Sequence, residues 1–176
     1  MKRLILNIGD IHVSDEPVIL QTILGSCVSV CLWDEKTKVG GMNHFMVPHL
    51  ADDDERLAYG GAESITRLVT AILRIGGEIS RMKVKLFGGG RVIKGFSQNL
   101  DVGRENIAVA KKLLGEYGIP IVKEFSGHDY GIKVIFYTAT GRAFLKKLDY
   151  PCHRSHLEEK TALASFTLQN KWPFVD

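Results

Sequence analysis

The sequence has few cysteines and no long apolar run, and both absences narrow the classes of protein that it can encode. Its 176 residues include only 3 cysteines, an odd count that argues against a disulfide framework and for a reducing compartment. No apolar stretch approaches the roughly 18 residues that a membrane span needs. The apolar run after Lys2-Arg3 is interrupted by Asn7 and Gly9, too early for the core of a signal peptide. We therefore expect a cytoplasmic protein with no membrane insertion.

A surplus of charge of one sign is also lacking. The formal net charge is +3, with lysines and arginines spread along the chain, so the sequence predicts no nucleic-acid partner. The 45% hydrophobic and 24% charged residues are typical of a globular domain, and the length suffices for one domain with a sizeable core.

The order of strand-like and helix-like segments predicts an α+β fold. Apolar residues at helical spacing predict two main helices, over about 60–75 and 101–117, each followed by glycine. Because the strands come mostly in runs, we expect a layered sandwich of mostly antiparallel strands rather than a doubly wound parallel sheet. The segment 83–87 alternates like a half-buried strand. The predicted strands cover residues 3–8, 17–24, 28–34, 39–48, 83–87, 121–125, 133–139 and 142–148.

The last 27 or so residues differ from the rest, and we divide the chain into a domain over 1–149 and a C-terminal extension over 150–176. Ser155-His156-Leu157-Glu158 is a capping-box pattern, and Leu157, Thr161, Ala164 and Leu168 follow at helical spacing. The extension is therefore predicted to form a short helix.

Three other motifs are assigned no ligand. The acidic run 52–55 is a run rather than a spaced set of oxygens, and is interpreted as a solvated turn. The glycine-rich stretch 88–95 lacks the Lys-Ser/Thr pair of a phosphate loop, and is interpreted as a turn beside a substrate cleft. Cys152, His153 and His156 have metal-ligand residue types but lack a fourth partner, so no metal site is predicted.

One predicted hairpin brings a thiol near an imidazole. Cys27 follows the Gly25-Ser26 turn signal at the start of one strand, and His44 lies in the next strand. A two-residue turn would set Cys27 directly opposite His44, whereas a four-residue turn would set them diagonally but still on one face. Either register predicts contact between a possible nucleophile and a possible base.

That pair could perform nucleophilic catalysis. A nearby imidazolium favours the thiolate over the thiol, and a tight turn at Gly25 and Ser26 can leave N–H groups for an oxyanion. Thr22, on the preceding strand, is a polar candidate for orienting the imidazole. The alternative is that Cys27 and His44 are ordinary strand residues. Cys31, deep in an apolar run, is predicted to be structural and inert.

The segment TILGSCVSVCLWDEKTKVGGMNHFMVP, residues 22–48, resembles the signature of the chemoreceptor glutamine deamidases, the CheD family of bacterial chemotaxis. KVKLFGGG at 83–90 resembles the family's Lys-x-Phe-Gly-Gly strand and loop, and VGRENIAVAKKLL at 102–114 its Gly-x-x-Asn-Ile helix. The resemblance covers about residues 3–148. It departs at Gly127-His128-Asp129-Tyr130-Gly131, where relatives often have Gly-Gly-x-x-Gly-Arg, so no role of that arginine is carried over.

The resemblance implies a fold shared with bacterial toxin deamidases and the hydrolysis of receptor glutamines to glutamate through a thioester. It assigns Cys27 as nucleophile, His44 as base and Thr22 as the orienting residue, with Gly25 and Ser26 at the oxyanion or substrate. It implies no cofactor, chemoreceptor cytoplasmic domains as the protein substrate, and a CheC-type phosphatase as a possible partner. The alternatives are a non-catalytic adaptor for such a phosphatase or receptor and, less favoured, a cysteine peptidase.

Overall fold

A computed structural model describes residues 1–50, 59–91, 101–148 and 174–175, and within them ten strands pair into two five-stranded sheets. Sheet A has the order β1-β3-β8-β9-β10 and sheet B the order β2-β5-β4-β6-β7. The strands are β1 (Lys2–Ile5), β2 (Ile11–Ser14), β3 (Val18–Leu24), β4 (Val28–Asp34), β5 (Gly40–Asn43), β6 (Met82–Gly88), β7 (Ile121–Ser126), β8 (Ile132–Tyr137), β9 (Ala143–Lys147) and β10 (Phe174–Val175).

Most neighbouring strands run antiparallel, as predicted. The exceptions are β1 with β3 and β6 with β7, which are parallel. Parallel neighbours need a long crossover, and the connection from β6 to β7 contains the second of the two α-helices, α1 (Gly61–Arg74) and α2 (Val102–Glu116). The predicted α+β sandwich with two main helices is confirmed.

The two helices begin and end where the sequence predicts. On α1, Ile65, Leu68, Val69 and Ile72 form one buried face, and α2 is capped by the Asp101 carboxylate, which accepts a hydrogen bond from Arg104 N–H at 3.0 Å. Each helix is followed by a glycine with positive φ, 96° at Gly76 and 69° at Gly118. Such backbone carries little penalty only for glycine, so both residues end their helices.

The elements stack in three layers: helices, sheet B and sheet A. Alternate residues of β4 point to opposite sides, so that Val30 and Leu32 pack toward the helices while Cys31 and Trp33 pack toward sheet A. Sheet B is therefore covered on both faces. This corrects the half-buried strand predicted for 83–87, where even Lys85 is only 5% exposed. Its ammonium lies over the Trp33 ring, 5.6 Å from the centroid.

A buried carboxylate joins the β4–β5 turn to the segment before β6. The Asp34 side chain is inaccessible to solvent and pairs with Arg81, with 2.8 Å from Arg81 Nη2 to Oδ2. Its oxygens also accept hydrogen bonds from the N–H groups of Lys36, Thr37 and Glu78. Burial alone would raise the pKa of Asp34, but these hydrogen bonds outweigh it and hold the pKa well below its usual value.

Two strands were not predicted from the sequence. β2 is four residues long and half-buried at an edge of sheet B, so its apolar pattern is weak. β10 lies in the C-terminal extension and pairs antiparallel with β9. Three predicted features lie outside the described residues: the short helix of the C-terminal extension, the acidic run 52–55, and the residues Cys152, His153 and His156. No helix in the described ranges is long and apolar enough to cross a membrane.

Candidate active site

The β4–β5 hairpin has the second of the two predicted registers. Cys31 pairs with Met42 and Trp33 with Gly40, which leaves a four-residue turn, residues 35–38, closed by a hydrogen bond from Asp34 N–H to the Val39 carbonyl (2.9 Å). Beyond the regular strands, the same register continues at the bridge between Val28 and Phe45. Cys27 and His44 are therefore diagonal neighbours on the face toward sheet A.

His44 is held from sheet A by Thr22. His44 is only 5% exposed and Thr22 is fully buried, and Thr22 Oγ1 lies 2.8 Å from His44 Nδ1. The same Oγ1 donates its hydrogen to the carbonyl oxygen of Leu6, at 2.8 Å. A hydroxyl has one hydrogen, so Oγ1 must accept from Nδ1–H. In the neutral ring the proton is then on Nδ1 and the lone pair on Nε2. This is the tautomer that lets Nε2 accept a proton.

The neighbouring Gln21 lies on the opposite side of β3. Successive residues of a strand point to opposite faces, and the inward positions of β3 are Leu20, Thr22 and Leu24, of which Leu20 and Leu24 belong to the apolar cluster between the sheets. Thr22, and not Gln21, is therefore the residue of β3 that can reach His44.

The two described thiols lie in different surroundings. Cys27 is half-buried at the edge of the apolar cluster between the sheets, whereas Cys31 is fully buried within it. Burial raises the pKa of the Cys31 thiol far above its usual range, more than the nearby Ser29 hydroxyl and Lys85 ammonium lower it. Cys31 is consequently shielded from solvent, and Cys27 is the more accessible of the two described thiols.

The turn before β4 is fixed through its carbonyl groups. Three consecutive carbonyl oxygens each accept one hydrogen bond: Gly25 from Gly90 N–H (2.8 Å), Ser26 from Asn106 Nδ2 (3.1 Å) and Cys27 from Gly89 N–H (2.9 Å). In a planar trans peptide the N–H points opposite to the carbonyl. The Gly25 carbonyl shares a peptide unit with the Ser26 N–H, and the Ser26 carbonyl with the Cys27 N–H. The hydrogen-bond partners of these two carbonyls therefore set the directions of the two N–H groups.

The glycine-rich stretch that begins at the last residue of β6 supports this turn through its residues 88–91, and residues 92–95 of the predicted stretch lie outside the described ranges. At Gly88, with φ of 111°, a Cβ atom would overlap the carbonyl oxygen of Cys27, so only glycine allows the two backbones to approach this closely. At Gly103, on the first turn of α2, a Cβ would lie 2.7 Å from the carbonyl oxygen of Gly89. The sequence identified this stretch as a turn but did not predict which backbone it would hold.

His128 packs against Gly90 of the same glycine stretch, where a Cβ would lie 2.6 Å from its ring. The ring also contacts those of Phe125 and Tyr130, at centroid distances of 5.6 and 5.4 Å. Nδ1 donates to the Tyr130 carbonyl. Burial lowers the pKa of His128, against smaller opposite effects of that hydrogen bond and of Asp129. The segment that departs from the family pattern therefore packs an aromatic ring against Gly90.

Sequence reasoning missed the contacts of Asn106. This residue of α2 is fully buried, and its Nδ2 donates to the carbonyl oxygens of Ser26 (3.1 Å) and Met46 (2.8 Å). The sequence feature that could have predicted these contacts is an asparagine on the apolar stripe of the helix, one turn before Ala110. A buried polar side chain at such a position needs partners, and they lie on the segments that carry Cys27 and His44.

Comparisons with known proteins define the family. The family model for CheD chemotactic sensory transduction matches residues 46–147. A protein of Anaeromyxobacter dehalogenans named "Probable chemoreceptor glutamine deamidase CheD 1" is 40% identical over 143 residues, which are 81% of this chain and 83% of the relative. A CheD of Rhodospirillum rubrum with the corresponding name is 34% identical over 148 residues, 84% of each chain. The chain belongs to the CheD family.

Proposed function

We propose that this protein hydrolyses the side-chain amide of specific glutamines on chemoreceptor cytoplasmic domains to glutamate, with Cys27, His44 and Thr22 as a catalytic triad. The names of its relatives support the reaction and its substrate class. The observation that carries the triad is the hydrogen-bonded chain from the Leu6 carbonyl through Thr22 to His44 Nδ1, beside the half-buried thiol of Cys27.

The first step is proton transfer followed by attack on the amide. With Nδ1–H directed to Thr22, His44 Nε2 has the lone pair that accepts the proton of the Cys27 thiol. The resulting thiolate attacks the carboxamide carbon, and the C=O π pair moves onto oxygen to give a tetrahedral oxyanion. The N–H groups of Ser26 and Cys27, in the turn fixed through its carbonyls, stabilise that oxyanion.

The second half of the reaction releases ammonia and then glutamate. The proton on His44 Nε2 passes to the departing nitrogen, the C–N bond breaks, and a Cys27 thioester remains. A water then attacks the thioester carbon while Nε2 takes its proton. The C–S bond breaks, the thiol is restored, and the receptor retains a carboxylate where it had an amide.

The finer assignments follow from the same proposal. The triad, the glycine stretch and α2 all lie within 1–148, so we assign activity to the domain over 1–149 rather than to the extension over 150–176. The receptor domains named as substrate lie in the cytoplasm, which is where this enzyme would act. A CheC-type phosphatase stays a predicted partner, tested by co-elution of the two purified proteins.

The test uses a purified receptor cytoplasmic fragment and measures ammonia release together with glutamine-to-glutamate conversion by mass spectrometry. The wild type should convert specific glutamines, Cys27→Ala should abolish conversion, and Cys31→Ala, the matched control thiol, should retain it. Conversion unchanged in Cys27→Ala would overturn the assigned nucleophile. A cleaved receptor fragment would indicate a peptidase, and binding without conversion would indicate an adaptor.

A further inference from the structure

We propose that Asn106 is a positioning residue for catalysis, which directs the Cys27 N–H toward the oxygen of the reacting amide. This inference rests on the proposed deamidation. It begins from the two carbonyl oxygens that one Asn106 Nδ2 contacts, that of Ser26 at 3.1 Å and that of Met46 at 2.8 Å. The first immediately precedes the nucleophile, and the second lies two residues beyond the base.

The contact geometry identifies which atom of the amide faces the two carbonyls. A carbonyl oxygen can only accept, and only the NH₂ group of an asparagine has two hydrogens to donate. Nδ2 therefore satisfies two acceptors from segments that are 20 residues apart in sequence. One side chain on α2 thus contacts both segments, whose separation is also held by the paired hydrogen bonds between Val28 and Phe45.

Because a peptide unit is planar, this contact also sets the direction of an N–H group next to the reacting thiol. Since the Ser26 carbonyl points to Asn106, the N–H of Cys27 in the same peptide unit points the opposite way. An oxyanion donor must already be aimed at the position that the oxygen occupies in the transition state. A rotation of this peptide would remove the donor without moving the Cys27 side chain away from His44.

A glycine in the first turn of α2 allows the helix to come close to the turn that carries Cys27. Gly103 and Asn106 are three residues apart and so lie on one face. At Gly103 the missing side chain lets the helix backbone come close to the carbonyl oxygens of Gly89 and Gly90. The backbone of the glycine stretch then holds the carbonyls of Gly25 and Cys27, leaving the carbonyl between them to Asn106.

The other polar atom of the Asn106 amide takes no part in these two contacts. Asn106 Oδ1 is buried and has no hydrogen-bond partner within the described part of the chain. Buried polar atoms are nearly always paired, and an unpaired one destabilises the fold. Local exceptions to this rule are typical of functional sites.

The test compares Asn106→Asp and Asn106→Ala with the matched control Ala110→Gly. Aspartate keeps the size of the side chain but presents an oxygen to both carbonyls, whereas alanine removes the donor. Ala110→Gly weakens the next turn of the same helix without touching Ser26. For each protein, kcat and KM for a receptor cytoplasmic fragment are measured together with the rate of Cys27 alkylation by iodoacetamide.

Alkylation is the informative second readout because it needs the thiolate but forms no oxyanion. We expect kcat to fall at least about 10-fold in both Asn106 variants while KM and the alkylation rate stay within about 2-fold of the control. Should Asn106→Asp not fold, Asn106→Ala decides alone. A kcat equal to that of Ala110→Gly, or alkylation that falls in parallel with kcat, would overturn the inference. A wild type that converts no glutamine contradicts the proposed function itself, and the inference falls with it.

Discussion

Replacing Thr22 by valine is the perturbation that most specifically tests how the imidazole is held. Valine has nearly the same shape as threonine, so no cavity is left in the fully buried site. The substitution removes the hydroxyl group and its two hydrogen bonds of 2.8 Å. The hydroxyl donates one to the Leu6 carbonyl and accepts the other from His44 Nδ1. The variant therefore isolates the hydroxyl from the packing of the side chain.

The expected magnitude follows from those two contacts. The buried Leu6 carbonyl loses its hydroxyl partner, which lowers the free energy of unfolding by about 1–3 kcal/mol. The neutral ring also loses the acceptor that favours a proton on Nδ1, so molecules with the proton on Nε2 accumulate, and these cannot deprotonate Cys27. We expect kcat/KM to fall about 10- to 100-fold, less than the loss of the base itself would cause.

The assay is steady-state deamidation of a receptor fragment, combined with nitrogen-15 NMR of the histidine rings to read the His44 tautomer. Thr22→Ser is the matched control, because it keeps the hydroxyl and should stay within about 5-fold of wild type. Gln21→Ala, on the opposite face of β3, should have no effect on the tautomer. Wild-type activity in Thr22→Val, or an equal loss in Thr22→Ser, would refute the reasoning.

Two further predictions concern the thiols and the buried ion pair. In the native protein, iodoacetamide should modify Cys27 and spare Cys31, whose pKa is raised by burial, as read by peptide mapping; equal modification of both thiols would contradict the assignment. Asp34→Asn should lower the free energy of unfolding in urea by about 3 kcal/mol at neutral pH, since it leaves Arg81 without its buried charge partner. The pKa of Asp34 is lowered in the folded state. The ionised carboxylate therefore contributes to stability above the unfolded-state pKa of about 4, and this contribution is lost as the pH falls through the folded-state pKa. The difference in the free energy of unfolding between wild type and Asp34→Asn should therefore become smaller below about pH 4. A difference that grows there would contradict the lowered pKa of Asp34.

The placement of Cys27 near His44 was accessible to sequence reasoning because it is local. Cys27 and His44 flank one hairpin, and the alternation of a strand places them on one face for any even-length turn. The choice between the two registers was not accessible, because it depends on how residues 35–38 close the turn. In the structure Asp34 Oδ1 accepts hydrogen bonds from both Lys36 N–H and Thr37 N–H, which stabilises the longer turn.

The parts that sequence reasoning could not supply all depend on stacking between layers. Thr22 reaches His44 only because sheet A packs over sheet B, and the pattern of β3 does not state what covers it. Asn106 reaches Ser26 across 80 residues, through a helix approach that Gly103 permits. The alternation over 83–87 predicted a half-buried strand, but the strand is covered on both faces and the ammonium of Lys85 lies over Trp33.

The central claim is that Cys27 forms a covalent thioester with the receptor glutamine. The most direct measurement is acid quenching of the reaction in oxygen-18-labelled water, followed by mass spectrometry of the intact enzyme and of the receptor fragment. The account predicts a receptor adduct on Cys27 during turnover, a single labelled oxygen in each glutamate formed, and neither signal with Cys27→Ala. Glutamate that gains the labelled oxygen at the wild-type rate with Cys27→Ala would contradict it.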